Sequence, residues 1–332
     1  MNRIPKSLMC IILTVAALFF LTCAYGAANR IQELYPTHSF RYYKTFSSSQ
    51  IQTALSFQKS EDGSQYAITF WDEKKGAVKT DLNSVEAQII WCLGEANAVF
   101  PAVYLQGSAP GASDTAGCAI SESVAWDLFG STDIVGLSVS IDDRTYEIRG
   151  VFRGASDIVI ASAQDTDTLR NVELTGSPSN DSREIAITYV SSAGLGAPDQ
   201  ICYGKTWGCF FTVLCSIPVL ISGLWLLWKL LKISRHFQPL LRYLVWFFTA
   251  LLFAISLPYL LTCIPSWLLP LQWSDLSFWP DLVSTLNERL NETFFLIPTS
   301  KDVIAKRTAI EFALCLSACI GCLGVGIKIS KN

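Results

Sequence analysis

Charged residues and histidines are scarce in this chain, and both shortages narrow the chemistry it can perform. Only 16% of its 332 residues are Asp, Glu, Lys or Arg, while 51% are hydrophobic. Soluble domains carry about 25% charged residues, so this composition indicates segments embedded in a membrane. The net charge of −3, together with the lack of any basic aromatic stripe, argues against nucleic acid as a partner.

The chain has two histidines, His38 and His236, which fall on opposite sides of the membrane in the topology derived below. This excludes His-based metal clusters and catalytic arrangements that need more than one histidine. The acidic pair Asp142-Asp143 is better explained as a hairpin turn. We therefore expect no catalytic, cofactor-binding or metal-binding residues, no cofactor and no enzymatic activity.

A phosphate-binding loop is also missing. Gly204-Lys205-Thr206 resembles the end of such a loop. However, the first glycine of the loop would have to lie at position 199, which is Asp199. No strand-loop-helix pattern surrounds it. Any ATP hydrolysis linked to this chain must therefore come from a separate subunit.

The eleven cysteines do not form a disulfide framework. Cys315, Cys319 and Cys322 share one helical face with small residues, a pattern that favours close packing of membrane helices over a metal or redox site. Outside the membrane, Cys92, Cys118 and Cys202 leave room for one disulfide, whose pairing the sequence does not determine.

Apolar blocks at 8–24, about 209–228, 243–263 and 309–327 are each long enough to span a bilayer. The first block could instead be a cleaved signal peptide, because Arg3 and Lys6 form a basic n-region. The length of its apolar run favours an uncleaved anchor over 1–28. In the last block, Glu311 is better explained by pairing with Arg307, one turn earlier, than by a role in transport.

Lysines and arginines concentrate at the N-terminus, between the second and third blocks, and in the C-terminal tail. The positive-inside rule places these segments in the cytoplasm. The sequence thus predicts a multi-pass protein of the cell membrane with both termini inside. Residues 29–208 form a large outside domain, and residues 209–332 form a three-helix membrane region that includes an outside loop at 264–307.

The outside domain mixes helical and strand patterns without regular alternation, which indicates an α+β fold. A helix is predicted from Ser48 to about residue 61, and strands at 66–71, 87–91, 157–161 and 184–190. In the outside loop, the apolar spacing over 282–290 predicts a short amphipathic helix that lies on the bundle or the bilayer surface, or contacts a partner.

Residues 117–153 carry the most informative pattern of the chain. Ser121 can cap a short helix whose apolar face recurs at helical spacing, and Gly130 falls where a left-handed residue ends a helix. Alternating apolar residues on either side of Asp142-Asp143 then predict a β-hairpin. The residues alone therefore predict a helix packed on a hairpin.

This stretch resembles the extracytoplasmic core domain of MacB-like permeases, the MacB/FtsX-related branch of ABC transporters. The family pattern is S-E-x-x-A-x-x-L-F-G, a glycine about six residues later, and a hairpin ending y-x-V-x-G-V. The matching residues here are Ser121, Glu122, Ala125, Leu128, Phe129, Gly130, Gly136, Tyr146, Ile148, Gly150 and Val151, with Gly107 at an earlier family glycine. The motif covers about a tenth of the chain, and the order of spans and domain is also that of the family.

The resemblance implies a permease-type subunit that relays the motion of a separate cytoplasmic ABC ATPase to the outside domain, for export or for regulation of an outside partner. It also implies a homodimer or a pair with a second permease, surrounded by lipid. Ser121, Phe129, Gly130, Gly136 and Gly150 would be structural residues of the domain.

Coupling to the ATPase would involve the cytoplasmic loop that contains Lys232, Arg235, His236 and Arg242. This loop reads KLLKISRHFQPLLR and shares only its basic charge with the family pattern R-R-E-I-G-x-x-x-A-x-G. That departure supports an alternative, in which the chain is an orphan membrane sensor or binding protein with a MacB-like ectodomain and no ATPase.

Overall fold

The structure is a computed structural model that describes residues 6–35, 38–60, 65–154, 156–164, 166–176, 183–234, 240, 243–244, 246–251, 254–255, 276–295 and 298–331. The chain forms two compact units. One comprises Met1–Gln32, Thr206–Phe294 and Ala305–Asn332, and is called the helical unit here. The other comprises Glu33–Lys205 and Phe295–Ile304, and is called the sheet unit.

The sheet unit is built on one mixed sheet. Its strands are β1 (His38–Arg41), β2 (Ala67–Lys79), β3 (Ser84–Leu93), β4 (Tyr104–Gly107), β5 (Gly117–Ser121), β6 (Ser138–Ile141), β7 (Arg144–Phe152), β8 (Ile158–Ser162), β9 (Asn171–Thr175) and β10 (Gln200–Tyr203). They lie in the order β10-β1-β9-β2-β3-β8-β5-β7-β4, and β6 pairs with β2 and β7. The pairs β3–β8 and β5–β7 are parallel.

Short helices accompany the sheet, namely α2 (Ser48–Gln58), α3 (Ala96–Val99), α4 (Glu122–Phe129) and α5 (Arg183–Ser192). The side chains of the main core alternate along the strands, as in Ile68 and Phe70 of β2, and pack with buried residues of α2, α4 and α5. A capping box holds the start of α2, where Ser47 and Gln50 satisfy each other's backbone N–H groups. The sheet and its helices form an α+β domain, as the sequence predicts.

The predicted strand at 184–190 is wrong, because this stretch forms α5. Its residues alternate in hydrophobicity as a strand would. However, Ala186, Tyr189 and Val190 also fit one helical face, and all three are buried in the main core. The sequence of this stretch fits both the period of a strand and the period of a helix, and tertiary packing selects the helix.

The predicted hairpin turn is confirmed. Asp142 and Asp143 have φ angles of 47° and 63°, and they connect β6 to β7. Two consecutive positive φ angles define a type I′ turn, whose twist matches that of the flanking strands. The two carboxylates thus have a conformational explanation, as expected.

The helical unit contains most of α1 (Lys6–Leu34) and α6 (Gly204–Ser234), together with α7 (Phe278–Phe295) and most of α8 (Ser300–Lys331). Among the residues that the structure describes, three stretches of helix are long and apolar enough to cross a membrane, namely Leu8–Leu34, Phe210–Lys229 and Ser300–Ile329. Most of the predicted span at 243–263 lies outside the described residues. The helix α7 includes the predicted amphipathic segment at 282–290.

Small and aromatic side chains pack α1, α6 and α8 together. Ala24, Ala27 and Ala28 of α1 form a buried cluster with Cys215 and Phe312. Small residues allow such close approach of membrane helices. Cys319 of α8 is also buried, whereas Cys315 and Cys322 are half-buried, and all three are free thiols.

Glu311 has two basic partners in this unit. Arg307 lies 3.7 Å away, as the spacing predicts, and Arg30 of α1 lies 2.9 Å away. The contact with Arg30 joins residues 281 positions apart, so the spacing of neighbouring residues does not predict it.

Candidate functional site

On β1 and β9, the face of the sheet opposite the main core carries polar and charged side chains. Along β1, β9 and β2, the residues Phe40, Val172 and Phe70 point into the main core. Their neighbours in sequence point to the other face, because side chains alternate along a strand. Strand register places three of these neighbours in one row across the sheet, since Glu173 pairs with Ser39 on one side and with Thr69 on the other.

A lysine from the start of α8 covers this row. The Lys301 Nζ lies 3.4 Å from the Glu173 Oε1, and the exposed fractions of the two side chains are 2% and 0%. The same Nζ lies 4.8 Å from the centre of the Tyr35 ring. A carboxylate and an ammonium group so far removed from water stabilise a protein only while both are present.

An arginine occupies the next row, where Arg41 of β1 pairs with Asn171 of β9, which in turn pairs with Trp71 of β2. The Arg41 guanidinium lies 4.2 Å from the centre of the Trp71 ring. Its Nη2 is 3.7 Å from the Asp302 Oδ1, which also accepts a hydrogen bond of 2.7 Å from the Tyr35 hydroxyl. Within the described residues, the three buried guanidinium nitrogens of Arg41 have no hydrogen-bond acceptor.

Burial acts on the titration of these groups, and the neighbouring charges modify its effect. Burial lowers the pKa of Arg41, but Asp302 and Glu173 outweigh it, so that the net pKa is raised above its ordinary value. Burial is also the largest cause of the raised pKa of Tyr35, and Asp302 adds to it. Both side chains therefore keep their protons at neutral pH.

Carboxylates from two different elements cap the start of α8. Glu73 of β2 accepts hydrogen bonds from the backbone N–H of Ser300, at 2.9 Å, and from its hydroxyl group. Asp302 accepts a hydrogen bond of 3.1 Å from the backbone N–H of Thr299. Negative charge at this position is favourable because the helix dipole is positive there. Burial raises the pKa of Glu73, and the hydrogen bonds from Ser300 partly oppose this shift.

These contacts define what we call the clamp. It holds the residue that follows α1 and the first turn of α8 against a single face of the sheet. Its members are Tyr35, Arg41, Glu73, Glu173, Lys301 and Asp302.

Sequence reasoning does not find the clamp. Its members are separated by up to 267 positions. Lys301 lies in the predicted outside loop at 264–307, and Glu173 lies in an otherwise ordinary strand. The one available signal is the segment Thr299–Asp302, whose spacing fits a helix cap directly before an apolar span.

The predicted structural residues lie away from the clamp, around β5, α4 and β7. Ser121 is the N-cap of α4, and its hydroxyl accepts hydrogen bonds from the backbone N–H groups of Val124 at 3.5 Å and Ile158 at 3.3 Å. Gly130 ends α4 with a φ of 66°. Phe129 is half-buried, whereas its neighbour Leu128 is 2% exposed.

Two further glycines of the motif occupy special positions. Gly136 has a φ of 91°. At Gly150 a Cβ atom would lie 2.5 Å from the Ser108 carbonyl oxygen, so the backbones of β7 and the segment after β4 approach as closely as only glycine allows.

Of the four residues predicted to take part in coupling, the structure describes only Lys232, in the last turn of α6. Its Nζ lies 5.5 Å from the centre of the Trp228 ring. Arg235, His236 and Arg242 lie outside the described residues. Within the described part of the chain, no group of three or more His, Cys, Asp or Glu residues could hold a metal ion, and Cys92, Cys118 and Cys202 are buried free thiols.

No family model and no curated relative matches the sequence. Comparison with solved structures finds the periplasmic region of MacB from Actinobacillus actinomycetemcomitans, at 15% identity and a TM-score of 0.41, covering 51% of this chain and 89% of that one. The extracellular domain of the noncanonical ABC-type transporter YknZ from Gram-positive bacteria has 13% identity and a TM-score of 0.38, covering 50% and 99% of the two chains.

A third match is a domain of a permease protein from Porphyromonas gingivalis, with 17% identity and a TM-score of 0.33, covering 49% of this chain and 84% of that one. This chain is similar to the extracytoplasmic domains of MacB-like ABC transporter permeases.

Proposed function

We propose that this chain is a permease-type membrane subunit that relays the motion of a separate cytoplasmic ATPase to an outside domain. The sheet unit is that domain, and Glu33–Lys205 is its main part. The motif at 117–153 and the order of apolar blocks support this assignment. Such a relay would drive either the export of a substrate or the regulation of an outside partner.

The clamp is the observation that carries the proposal. A relay needs a firm attachment between the helices that move and the domain that responds. The first turn of α8 is attached to the sheet by the buried pair Lys301–Glu173 and by the cap that Glu73 provides. The hydrogen bond from Tyr35 to Asp302 brings the end of the first helical segment to the same place.

This sequence contains no phosphate-binding loop, so the proposal assigns ATP hydrolysis to a separate subunit. The surface available to it inside the cell is the basic loop that follows Lys232. That surface is small, so a stable assembly needs two copies of each component. A homodimer, or a pair with a second permease, meets this requirement.

Gentle purification from the native membrane, followed by identification of co-eluting proteins, tests the assembly. We expect an ABC ATPase in the eluate, and we expect charge reversal at Lys232 and Arg235 to release it while the sheet unit stays folded. Charge reversal at Lys79, an exposed residue of β2, is the matched control and should release nothing.

A second test addresses the relay itself. Lys301→Met should leave the ATPase bound and active but abolish the cellular output that depends on it. If Lys301→Met and Lys79→Met give the same output, the clamp is not the attachment that the relay uses.

The second candidate function is an orphan membrane sensor without an ATPase, and the degenerate basic loop favours it. The same purification separates the two. Absence of an ATPase from the eluate, together with charge reversals that change nothing in the cell, would make the sensor the better description.

A further inference from the structure

A polar cavity of about 340 Å³ lies within the sheet unit, beside the clamp. It is lined by residues 41–43, 72–75, 170–171 and 199–200, with Gln88, Pro298 and Thr299. Since a water molecule occupies about 30 Å³ of liquid, the cavity holds roughly eleven waters or one small solute.

Unequal strand lengths create this cavity. Arg41 is the last residue of β1, while Asn171 and Gln200 are the first residues of β9 and β10, and register places these three side by side. The neighbouring strand β2 continues from Trp71, which pairs with Asn171, to Lys79. The open edge of β2 and the ends of the three shorter strands therefore bound the space.

The acidic groups of the lining are already engaged. The Asp72 carboxylate accepts two hydrogen bonds of 3.2 Å and one of 3.0 Å from Arg170, and its side chain is only 3% exposed. Glu73 caps α8. The Asp199 Oδ2 accepts a hydrogen bond of 2.8 Å from the backbone N–H of Tyr43.

The basic groups are less fully engaged. The Lys74 Nζ donates to the Thr168 hydroxyl at 2.7 Å and lies 3.9 Å from Asp72, and its side chain is 50% exposed. The Lys75 side chain is exposed and makes no hydrogen bond or ion pair with any residue that the structure describes. The exposed positive charge of the cavity is therefore carried by Lys74 and Lys75, whose side chains leave successive positions of β2 on opposite faces of the sheet.

We propose that this cavity binds a small soluble oxyanion, a carboxylate or a phosphate, through Lys74 and Lys75. Its lining is too polar for the mostly apolar ligands that typical pockets take. A lipid phosphate has the same chemistry, and the nanodisc arm of the experiment separates it from a soluble anion.

A bound anion would act on the clamp, because the two sites share a wall. Thr299 lines the cavity and caps α8, and Glu73 lines the cavity and holds Ser300. Occupancy therefore stabilises the attachment of α8 to the sheet. The inference concerns binding alone and does not depend on whether an ATPase is present.

Thermal unfolding of the purified full-length chain in a neutral detergent tests the site. The probes are inorganic phosphate and succinate, each compared with sodium chloride at matched ionic strength. We expect at least one of the two oxyanions to raise the unfolding temperature in a saturable manner that chloride does not reproduce. In the Lys74→Gln, Lys75→Gln double variant, the half-saturating concentration should rise at least about tenfold, the effect of losing a charge-assisted hydrogen bond.

The matched control is Lys79→Gln, which removes one exposed lysine of the same strand outside the cavity and should leave the saturation curve unchanged. A third arm places the chain in nanodiscs of phosphatidylcholine with or without phosphatidylglycerol. Stabilisation by phosphatidylglycerol alone, a response that follows ionic strength only, or a double variant that responds like the native chain would each overturn the proposal.

Discussion

Lys301 and Glu173 show at the scale of single residues what the clamp requires. Their charged groups lie 3.4 Å apart and are almost completely shielded from water. Each charge is tolerated because the other is present, since isolated charges in such surroundings are strongly unfavourable. The pair therefore holds α8 to the sheet only when both charges are present.

The first prediction follows from this dependence. Lys301→Met should lower the free energy of unfolding by about 3–5 kcal/mol, because it leaves the Glu173 carboxylate buried without a partner. The double variant Lys301→Met, Glu173→Leu should be clearly more stable than the single variant. Chemical unfolding of the detergent-solubilised chain measures both, and a double variant at least as unstable as the single one would contradict the pairing.

The second prediction concerns α4. Leu128 is buried in the main core and Phe129 packs against it only in part. Leu128→Ala should therefore cost about 2–5 kcal/mol, and Phe129→Ala less than the about 3–5 kcal/mol typical of a fully buried ring. The same unfolding experiment ranks the two. The reverse order would mean that the motif phenylalanine carries more of the packing than its exposure indicates.

At the scale of elements, the start of α8 depends on a residue of another element. Its first backbone N–H groups are satisfied by Glu73 from β2 and by Asp302 from its own first turn. Without the sheet, half of this cap is lost. The first residue of α8 is thus held in place by β2.

The third prediction uses the titration of Glu73. Burial raises the pKa of this carboxyl group in the folded chain. The contribution of Glu73 to stability is therefore fully present below the ordinary glutamate pKa of about 4.3 and is lost as the pH rises through the folded-state value. Glu73→Gln lacks this titration, so its stability relative to the native chain should increase as the pH rises from about 4.3 toward neutrality.

Unfolding temperatures measured across this pH range provide the comparison. Glu86→Gln, at an exposed position of β3, serves as the control and should track the native chain at every pH. A constant difference between Glu73→Gln and the native chain would show that burial does not perturb Glu73.

Local elements could be predicted from the sequence where a few neighbouring residues determine the conformation. Ser121 and Gly130 delimit α4, and Asp142-Asp143 form the turn that their chemistry favours. The clamp could not be predicted, because Lys301 and Glu173 lie 128 positions apart and neither has an unusual local context. The strand prediction at 184–190 failed for a related reason, since burial on one helical face outweighed a pattern of period two.

At the scale of the whole molecule, the distribution of lysine and arginine predicts that the sheet unit lies outside the cell. The fourth prediction tests this with Ser49→Cys, at an exposed position of α2, in a background whose native thiols have been blocked. A membrane-impermeant reagent should label intact cells. Labelling that requires lysis would reverse the topology.

The presence of Phe295–Ile304 in the sheet unit also constrains the order in which the chain can fold. Roughly one hundred residues separate Lys205 from this last contribution, which ribosomes synthesise in about 5–20 s. Throughout that interval Glu173 and Arg41 are without Lys301 and Asp302, and their face of the sheet is open to water. The domain therefore completes its fold only after the intervening segment has been made, and a nascent chain halted before residue 298 would expose this face to proteases and chaperones.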